Sequence, residues 1–264
     1  MKWFGLKSLA LISAIVMSTP VKAVELMPHQ AIYRMSLASA SSTSGIAGAE
    51  GAMMYKFGET CDSWTSETNV YLKLLYAEGE EMETTWSFLS WESKDGLKYR
   101  FRVRQNRNGT LVEHIQGNVT RNTVDGAAKA QFSSPEGTVI ELPEGTMFPT
   151  HHLQALIKEG ETGTLTYSRT VFDGASLDNP YNINALITSA SKKAVRVKPV
   201  PDDKVFRHVR MAFFPLASRK EFPEFELGID YRRNGIAEHI LQDFGDFTLN
   251  LVADKIEILD HPKC

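Results

Sequence analysis

Four groups of residues in this chain have types and spacings that can do chemistry. The first is Cys61 and Cys264, the only two cysteines among 264 residues. The second is the adjacent pair His151-His152. Neighbours on a helix point about 100° apart, so they do not ligate one ion as an i, i+4 pair does. One is expected to face a sheet and the other solvent. The remaining histidines (His29, His114, His208, His239, His261) never fall into H-x-x-x-H spacing, so no metal site is expected. The third group, Ser189-Ala190-Ser191-Lys192, has the S-x-x-K form of penicillin-recognising enzymes but lacks the companion S-D-N and K-T-G elements. The fourth is the acidic cluster Glu78, Glu80, Glu81 and Glu83, which could supply paired carboxylates for glycoside hydrolysis. A following stretch carries the basic stripe Lys98, Arg100, Arg102 and Arg104, so cross-strand ion pairs on a solvated face are expected to absorb both sets. The same stripe is a candidate docking surface for a partner.

Other strings carry less. No G-x-S-x-G nucleophile elbow is present, and Asp243-Phe244-Gly245 has neither the Gly-rich loop nor the catalytic loop that would make it a kinase triplet. The sequons at Asn108 and Asn118 mean little where a chain is exported to a bacterial periplasm. The residues therefore point to a non-catalytic protein with no cofactor.

The compartment decides how the cysteines are read. Lys2 and Lys7 precede an apolar stretch over residues 8–17, and Val21-Lys22-Ala23 offers a cleavage site after Ala23, the pattern of a signal peptide over residues 1–23. Ten apolar residues are too few to span a bilayer, and no later stretch is longer, so no transmembrane segment is expected. No cysteine follows the cleavage site to carry a lipid. The expected location is the periplasm. Loss of residues 1–23 removes three lysines and no acid, which moves the net charge from −3 to −6 and disfavours nucleic acid as a partner.

In an oxidising space Cys61 and Cys264 read as one disulfide. The alternative is two free thiols, one at a chain end, and only then could Cys61 act as a nucleophile. A bridge closing about 203 residues removes roughly 5 kcal/mol of unfolded-state freedom in the chain-entropy model.

The elements that must position these residues are mainly strands. Leu97, Tyr99, Phe101 and Val103 alternate with Lys98, Arg100, Arg102 and Arg104, and Phe225, Leu227, Ile229 and Tyr231 alternate with Glu224, Glu226, Gly228 and Asp230. The dipeptides Asp95-Gly96, Asn108-Gly109, Asp125-Gly126, Asp173-Gly174 and Asn234-Gly235 read as turns between successive antiparallel strands, about a dozen or more of them. One helix is expected from Pro149-Thr150, with Thr150 as its cap, to Gly160; Leu153, Leu156 and Ile157 form its apolar face. The small-residue stretch 38–51 reads as a long mobile hairpin tip. With no linker elsewhere, residues 24–264 are expected to form one domain. A curved sheet with inward aromatics around one helix can enclose an apolar interior. Its candidate lining is Trp64, Leu72, Leu74, Trp86, Phe88, Tyr99, Phe101, Phe225 and Phe247, which would equally serve as a packed core.

Several strings together resemble the EipB family of Gram-negative periplasmic proteins. They are Pro28-His29-Gln30-Ala31-Ile32-Tyr33, Gly51-Ala52-Met53-Met54-Tyr55, Cys61-Asp62-Ser63-Trp64-Thr65 and Ser90-Trp91-Glu92-Ser93-Lys94-Asp95-Gly96. Further on come Leu142-Pro143-Glu144-Gly145-Thr146, Phe148-Pro149-Thr150-His151-His152, Phe172-Asp173-Gly174, Asp243-Phe244-Gly245-Asp246-Phe247 and the terminal Cys264. The resemblance implies a β-spiral, or open barrel, of about fourteen antiparallel strands wrapped around one helix, similar to lipoprotein-carrier folds. It implies a disulfide mapping onto Cys61 and Cys264, and no enzymatic activity. It also implies a role in envelope integrity and stress resistance. That role is expected to work by binding, either a lipid or acyl chain in the apolar interior or a periplasmic protein on its rim. An envelope-polymer hydrolase and a purely structural interaction module are the competing readings.

Overall fold

The computed structural model describes residues 24–189, 207–218 and 221–264. Residues 1–23, expected to be an export signal, and residues 190–192 of the S-x-x-K string lie outside them. Fourteen strands and one helix follow in order. The first run is β1 (His29–Ala40), β2 (Ile46–Glu59), β3 (Ser63–Tyr76), β4 (Glu81–Ser93), β5 (Lys98–Arg107), β6 (Thr110–Thr120), β7 (Ala128–Ser134) and β8 (Val139–Leu142). After α1 (Pro149–Thr162) come β9 (Thr166–Val171), β10 (Tyr181–Ser189), β11 (Arg207–Pro215), β12 (Phe225–Tyr231), β13 (Ala237–Asp243) and β14 (Phe247–Ile258).

All fourteen strands join one antiparallel sheet in the order β8-β7-β6-β5-β4-β3-β2-β1-β14-β13-β12-β11-β10-β9. The first and last of these strands thus lie side by side in the middle of the sheet. One meander runs outward from β1 to β8, the other from β14 back to β9, and α1 links their outer edges. The five turn dipeptides each fall between consecutive strands. In β5 the alternation is complete, with Tyr99, Phe101 and Val103 buried and Lys98, Arg100, Arg102 and Arg104 exposed.

The two outer edges are brought together by the segment between β8 and α1. Met147 donates its N–H to Thr170 and accepts that of Phe172, both at 2.9 Å, forming a short parallel bridge to β9. Arg121 anchors this segment: Nη1 donates to the Thr146 carbonyl at 2.6 Å and Nε to that of Gly96 at 2.8 Å. Its guanidinium lies over the Phe148 ring at 4.4 Å.

Inside the curved sheet the apolar side chains form two main clusters. The larger gathers residues such as Tyr33, Met35, Ile183, Ile187, Leu249 and Leu251 around Leu156 of the helix. The smaller packs Tyr99, Phe101, Ile115, Phe132, Phe148 and Phe172. A third, minor cluster places Ile157 against Leu26, Phe57 and Trp64.

Cys61, in the β2–β3 turn, is bonded to Cys264, with 5.7 Å between their Cα atoms. The C-terminal tail reaches it by crossing the start of β1, where the Leu259 N–H donates to the Pro28 carbonyl at 2.9 Å.

Three sequence expectations need correction. Residues 38–51 are mostly strand; only Ser41–Gly45 turn, closed by the Ser44 N–H to the Ser41 carbonyl at 3.2 Å. The small residues serve close approach instead, since a Cβ on Gly51 would sit 2.2 Å from the Tyr71 carbonyl oxygen. The helix runs past Gly160 to Thr162 and ends on Gly163, whose φ of 85° suits a glycine cap. Finally, the acidic cluster does not pair with the basic stripe. The register sets Glu81 and Glu83 toward β3, where Glu81 pairs with Lys73 at 2.6 Å and Glu83 accepts from the Tyr71 hydroxyl at 3.1 Å. The stripe lies across from Leu89 and Trp91 instead.

Replacing Cys61 with Ser is expected to lower the melting temperature by ~10 °C, since the bridge restrains about 203 residues of unfolded chain. Thermal denaturation of the two proteins under non-reducing conditions checks this, and equal midpoints would refute it.

Candidate functional site

The site is assembled from the start of α1. Its first N–H groups have no local side-chain cap: the residue at the cap position is Phe148, and Pro149 opens the helix. The cap comes from another element. Glu92, almost fully buried on β4, accepts the Thr150 N–H at 2.7 Å and the His151 N–H at 3.1 Å. A carboxylate there satisfies orphan donors and faces the positive end of the helix dipole. Its Oε1 also lies 2.5 Å from His151 Nδ1, and the His151 ring meets Trp64 edge-on at 5.3 Å. Thr150, the sequence's candidate cap, is thus a donor to the cap.

Glu92 fixes which helix face turns inward. His152 becomes buried while His151 stays partly exposed, as the 100° separation requires. With His152 come Leu153 and Leu156, which line a cavity of about 350 Å³. Opposite them stand Ile183 of β10, Met211 and Phe213 of β11, and Phe225, Leu227 and Tyr231 of β12. Trp86 of β4 closes one side, and Phe244, 44 % exposed, stands at the rim. The cavity is the space left between the two main clusters: Trp86 packs against the smaller, Leu156 and Phe213 belong to the larger. Phe225, Leu227 and Tyr231 are half-buried: they pack against the larger cluster, Phe225 stacking on Phe213 at 4.2 Å, and also border the cavity.

Few polar groups enter this lining. Asp173 is its one carboxylate among the described residues. Burial pushes the Asp173 carboxyl up from the usual carboxylate range, partly opposed by the Ala175 N–H it accepts at 2.8 Å. His152, 5 % exposed, stacks near-parallel to Tyr167 with ring centroids 6.0 Å apart, and its Nε2 has no hydrogen-bond partner. Burial, aided by the Arg169 charge, lowers its pKa to about 4, so the ring is neutral at pH 7. No group of three or more His, Cys, Asp or Glu that could hold a metal occurs among the described residues.

Of the nine candidate lining residues, the fold places Trp86 and Phe225 on this cavity. Tyr99 and Phe101 are packed inside the smaller cluster, where Tyr99 stacks on Phe148 at 4.9 Å and Phe101 meets Phe172 at 5.4 Å. Phe88 leans on that cluster beside Trp86, and Trp64 lies in the minor one. Leu74 is buried, while Leu72 and Phe247 flank the larger cluster, Phe247 supporting the rim residue Phe244 at 5.1 Å. Sequence reasoning missed His152, Asp173, Phe213 and Leu227 as lining. Alternation in β12 marked Leu227 as inward-facing, but nothing local marked the gap in front of it.

A family model described as EipB-like matches residues 20–260. The chain belongs to the EipB-like family. The cell envelope integrity protein EipB of Brucella abortus (strain 2308) is 30 % identical over 258 residues, covering 93 % of this chain and 89 % of that protein. A crystal structure from Brucella abortus, described as a β-barrel-like protein of a domain of unknown function, superposes with a TM-score of 0.80 at 28 % identity. That match covers 90 % of this chain and all of the other. The EipB-like fold is therefore the mainly β architecture that the resemblance implied, an open fourteen-stranded sheet curved around one helix.

Two outcomes follow from this geometry. Glu92→Ala leaves buried N–H groups at the helix start unpaired, which is expected to lower stability by about 3 kcal/mol. Amide exchange at Thr150 and His151 should accelerate beyond the rest of the helix; uniform protection would contradict the cap. The second concerns pH. An unfolded histidine titrates near 6.5 and folded His152 near 4, so the unfolded chain binds the proton first. The stability due to neutral His152 is complete above pH 6.5 and is lost as pH falls toward 4, by at most ~3 kcal/mol. Between pH 7 and pH 4.5, calorimetry should show a smaller fall in melting temperature for His152→Leu than for the wild type; equal falls would refute it.

Proposed function

We propose that this chain is a non-catalytic periplasmic protein that supports envelope integrity by holding an extended apolar molecule, such as an acyl chain, between α1 and β10–β13. The carrying observation is the 350 Å³ cavity with its largely apolar walls. Its size lies at the lower end of the ~300–1,000 Å³ typical of small-molecule sites. Burial of a methylene is worth about 0.8 kcal/mol, so eight of them give roughly 6 kcal/mol before ordering costs. Micromolar affinity is within reach of that sum. A neutral His152 and a single carboxylate give the cavity little charge to repel an acyl chain. The envelope role is supported by the printed name of the Brucella abortus relative. The periplasmic location is supported by the disulfide between Cys61 and Cys264 and by the export pattern of residues 1–23.

The hydrolase reading is disfavoured by the cavity's lone carboxylate, since glycosidic acid-base chemistry uses two. The purely structural reading is disfavoured by the cavity itself, because packed interiors have few voids larger than a water molecule.

An environment-sensitive acyl probe should gain fluorescence with the wild type and lose most of that gain with Trp86→Glu or Phe225→Glu. Both positions are half-buried, so near-native melting can be verified for each variant. A probe signal unchanged in the folded variants, or absent from the wild type, would sink the proposal.

A further inference from the structure

On the opposite face of the sheet, away from the core, β4, β5 and β6 form a groove of about 550 Å³. Lys98, Arg100 and Arg102 line it, and Arg104 extends the row along β5. Successive outward residues of a strand stand ~6.8 Å apart, so the four cations form a straight ladder. Guanidinium groups stay charged at any physiological pH. Arg100, Arg102 and Arg104 have no ion-pair partner among the described residues, and no Asp or Glu lines the groove. Lys98 stands near Asp95, whose carboxylate is already held by the Ser93 hydroxyl at 2.6 Å and the Leu97 N–H at 2.9 Å. The outward-facing acid across β4 is Glu67, opposite Leu89 and two strands from Arg102, and it accepts from Asn69 at 3.0 Å.

A row of like charges opposes folding by mutual repulsion, and a chain of net charge −3 has acids to spare for compensating it. None is placed there. What faces the cations is neutral and hydrogen-bonding. Thr120 lies opposite Lys98, Asn118 opposite Arg100 and Gln116 opposite Arg102. On the other side Trp91, with Arg100 over its ring at 5.1 Å, and Leu89 form an apolar shoulder. A register shift between Gln116 and Gly117 leaves Ser133 of β7 as an extra residue in the pairing, and Ser133 joins the groove lining.

We infer that this groove is a docking site for an extended acidic peptide segment of a partner protein, with carboxylates at alternate positions. The fit is one of period and chemistry. An extended peptide repeats its side chains at the same ~6.8 Å as β5, so each second residue meets a cation. Carboxylates match the arginine fork. The Asn118 and Gln116 amides carry both donor and acceptor, which suits the N–H and C=O groups of a peptide backbone. Trp91 and Leu89 offer contact to an intervening aliphatic side chain. This site is separate from the cavity and does not depend on a ligand there.

The test uses the purified, disulfide-bonded protein and two labelled octapeptides of equal composition, one alternating Glu with Ser and one with four Glu followed by four Ser. Fluorescence anisotropy at low salt should show the alternating peptide binding about tenfold more tightly, with affinity falling as salt rises. Arg100→Gln with Arg102→Gln should weaken it about tenfold. Arg102→Gln with Arg104→Gln removes two side chains without partners, so it reports on binding even if loss of the Arg100–Trp91 contact disturbs the fold. Equal binding of both peptides, or binding that survives both double variants, overturns the inference. So does capture of phosphatidylglycerol vesicles or a sulfated glycan by a protein that ignores the peptides.

Discussion

The fold depends on one strand pairing, that of β1 with β14. These strands lie side by side from His29 opposite Ile258 to Ala40 opposite Phe247, although they come from opposite ends of the chain. Every other pair among the described strands joins neighbours in sequence within one meander, so each closes a far smaller loop. The seam must instead close a loop of more than two hundred residues before any of its hydrogen bonds form, and loop-closure entropy makes such a contact slow and weakly favoured. The disulfide answers this constraint. Cys264 follows β14 and Cys61 follows β2, which flanks β1, so in the unfolded chain the bond already keeps the two sides of the seam near each other.

With the seam fixed at the centre, the two meanders curl away from it and approach each other again at their outer edges. The Arg121-anchored segment around Met147 and the helix after it fill that second junction. The larger apolar cluster spans the seam, joining Tyr33, Met35 and Met53 of β1 and β2 to residues of β9–β14, while the smaller gathers β5–β8 with Phe148 and Phe172. Glu92 then turns α1 so that Leu156 completes the larger cluster while His152 and Leu153 face the remaining gap. The cavity is therefore a consequence of topology: two curled half-sheets and one capped helix leave space where three surfaces meet.

Much of this was legible in the sequence because it is locally encoded. The alternation through β5, the Asx-Gly turns and the amphipathic stretch around Leu153, Leu156 and Ile157 each depend on a few consecutive residues, and each became the element its pattern required. The cysteine pair was legible because a chain with two cysteines has one possible intramolecular bond. What was hidden depends on partners far apart in sequence. Glu92 caps a helix that starts 57 residues later, Phe101 finds Phe172 instead of open space, and Glu81 turns to Lys73 and leaves the arginines of β5 uncompensated. A periodic pattern marks a residue as inward-facing, but whether a neighbour or a void lies before it is set by register and curvature. Trp86 and Tyr99 read alike along the chain, yet one borders the cavity and the other is sealed beneath Phe148.

Native mass spectrometry of the protein purified from a Gram-negative host expressing the full chain, followed by solvent extraction and lipid analysis, tests the central claim most directly. Occupancy of the cavity predicts a fraction of protein carrying an added mass of a few hundred daltons or more, which disappears on extraction and reappears as an acyl-containing molecule. A single species at the mass of the bare disulfide-bonded chain, with an extract no richer in lipid than that of a periplasmic protein lacking a cavity, would contradict it.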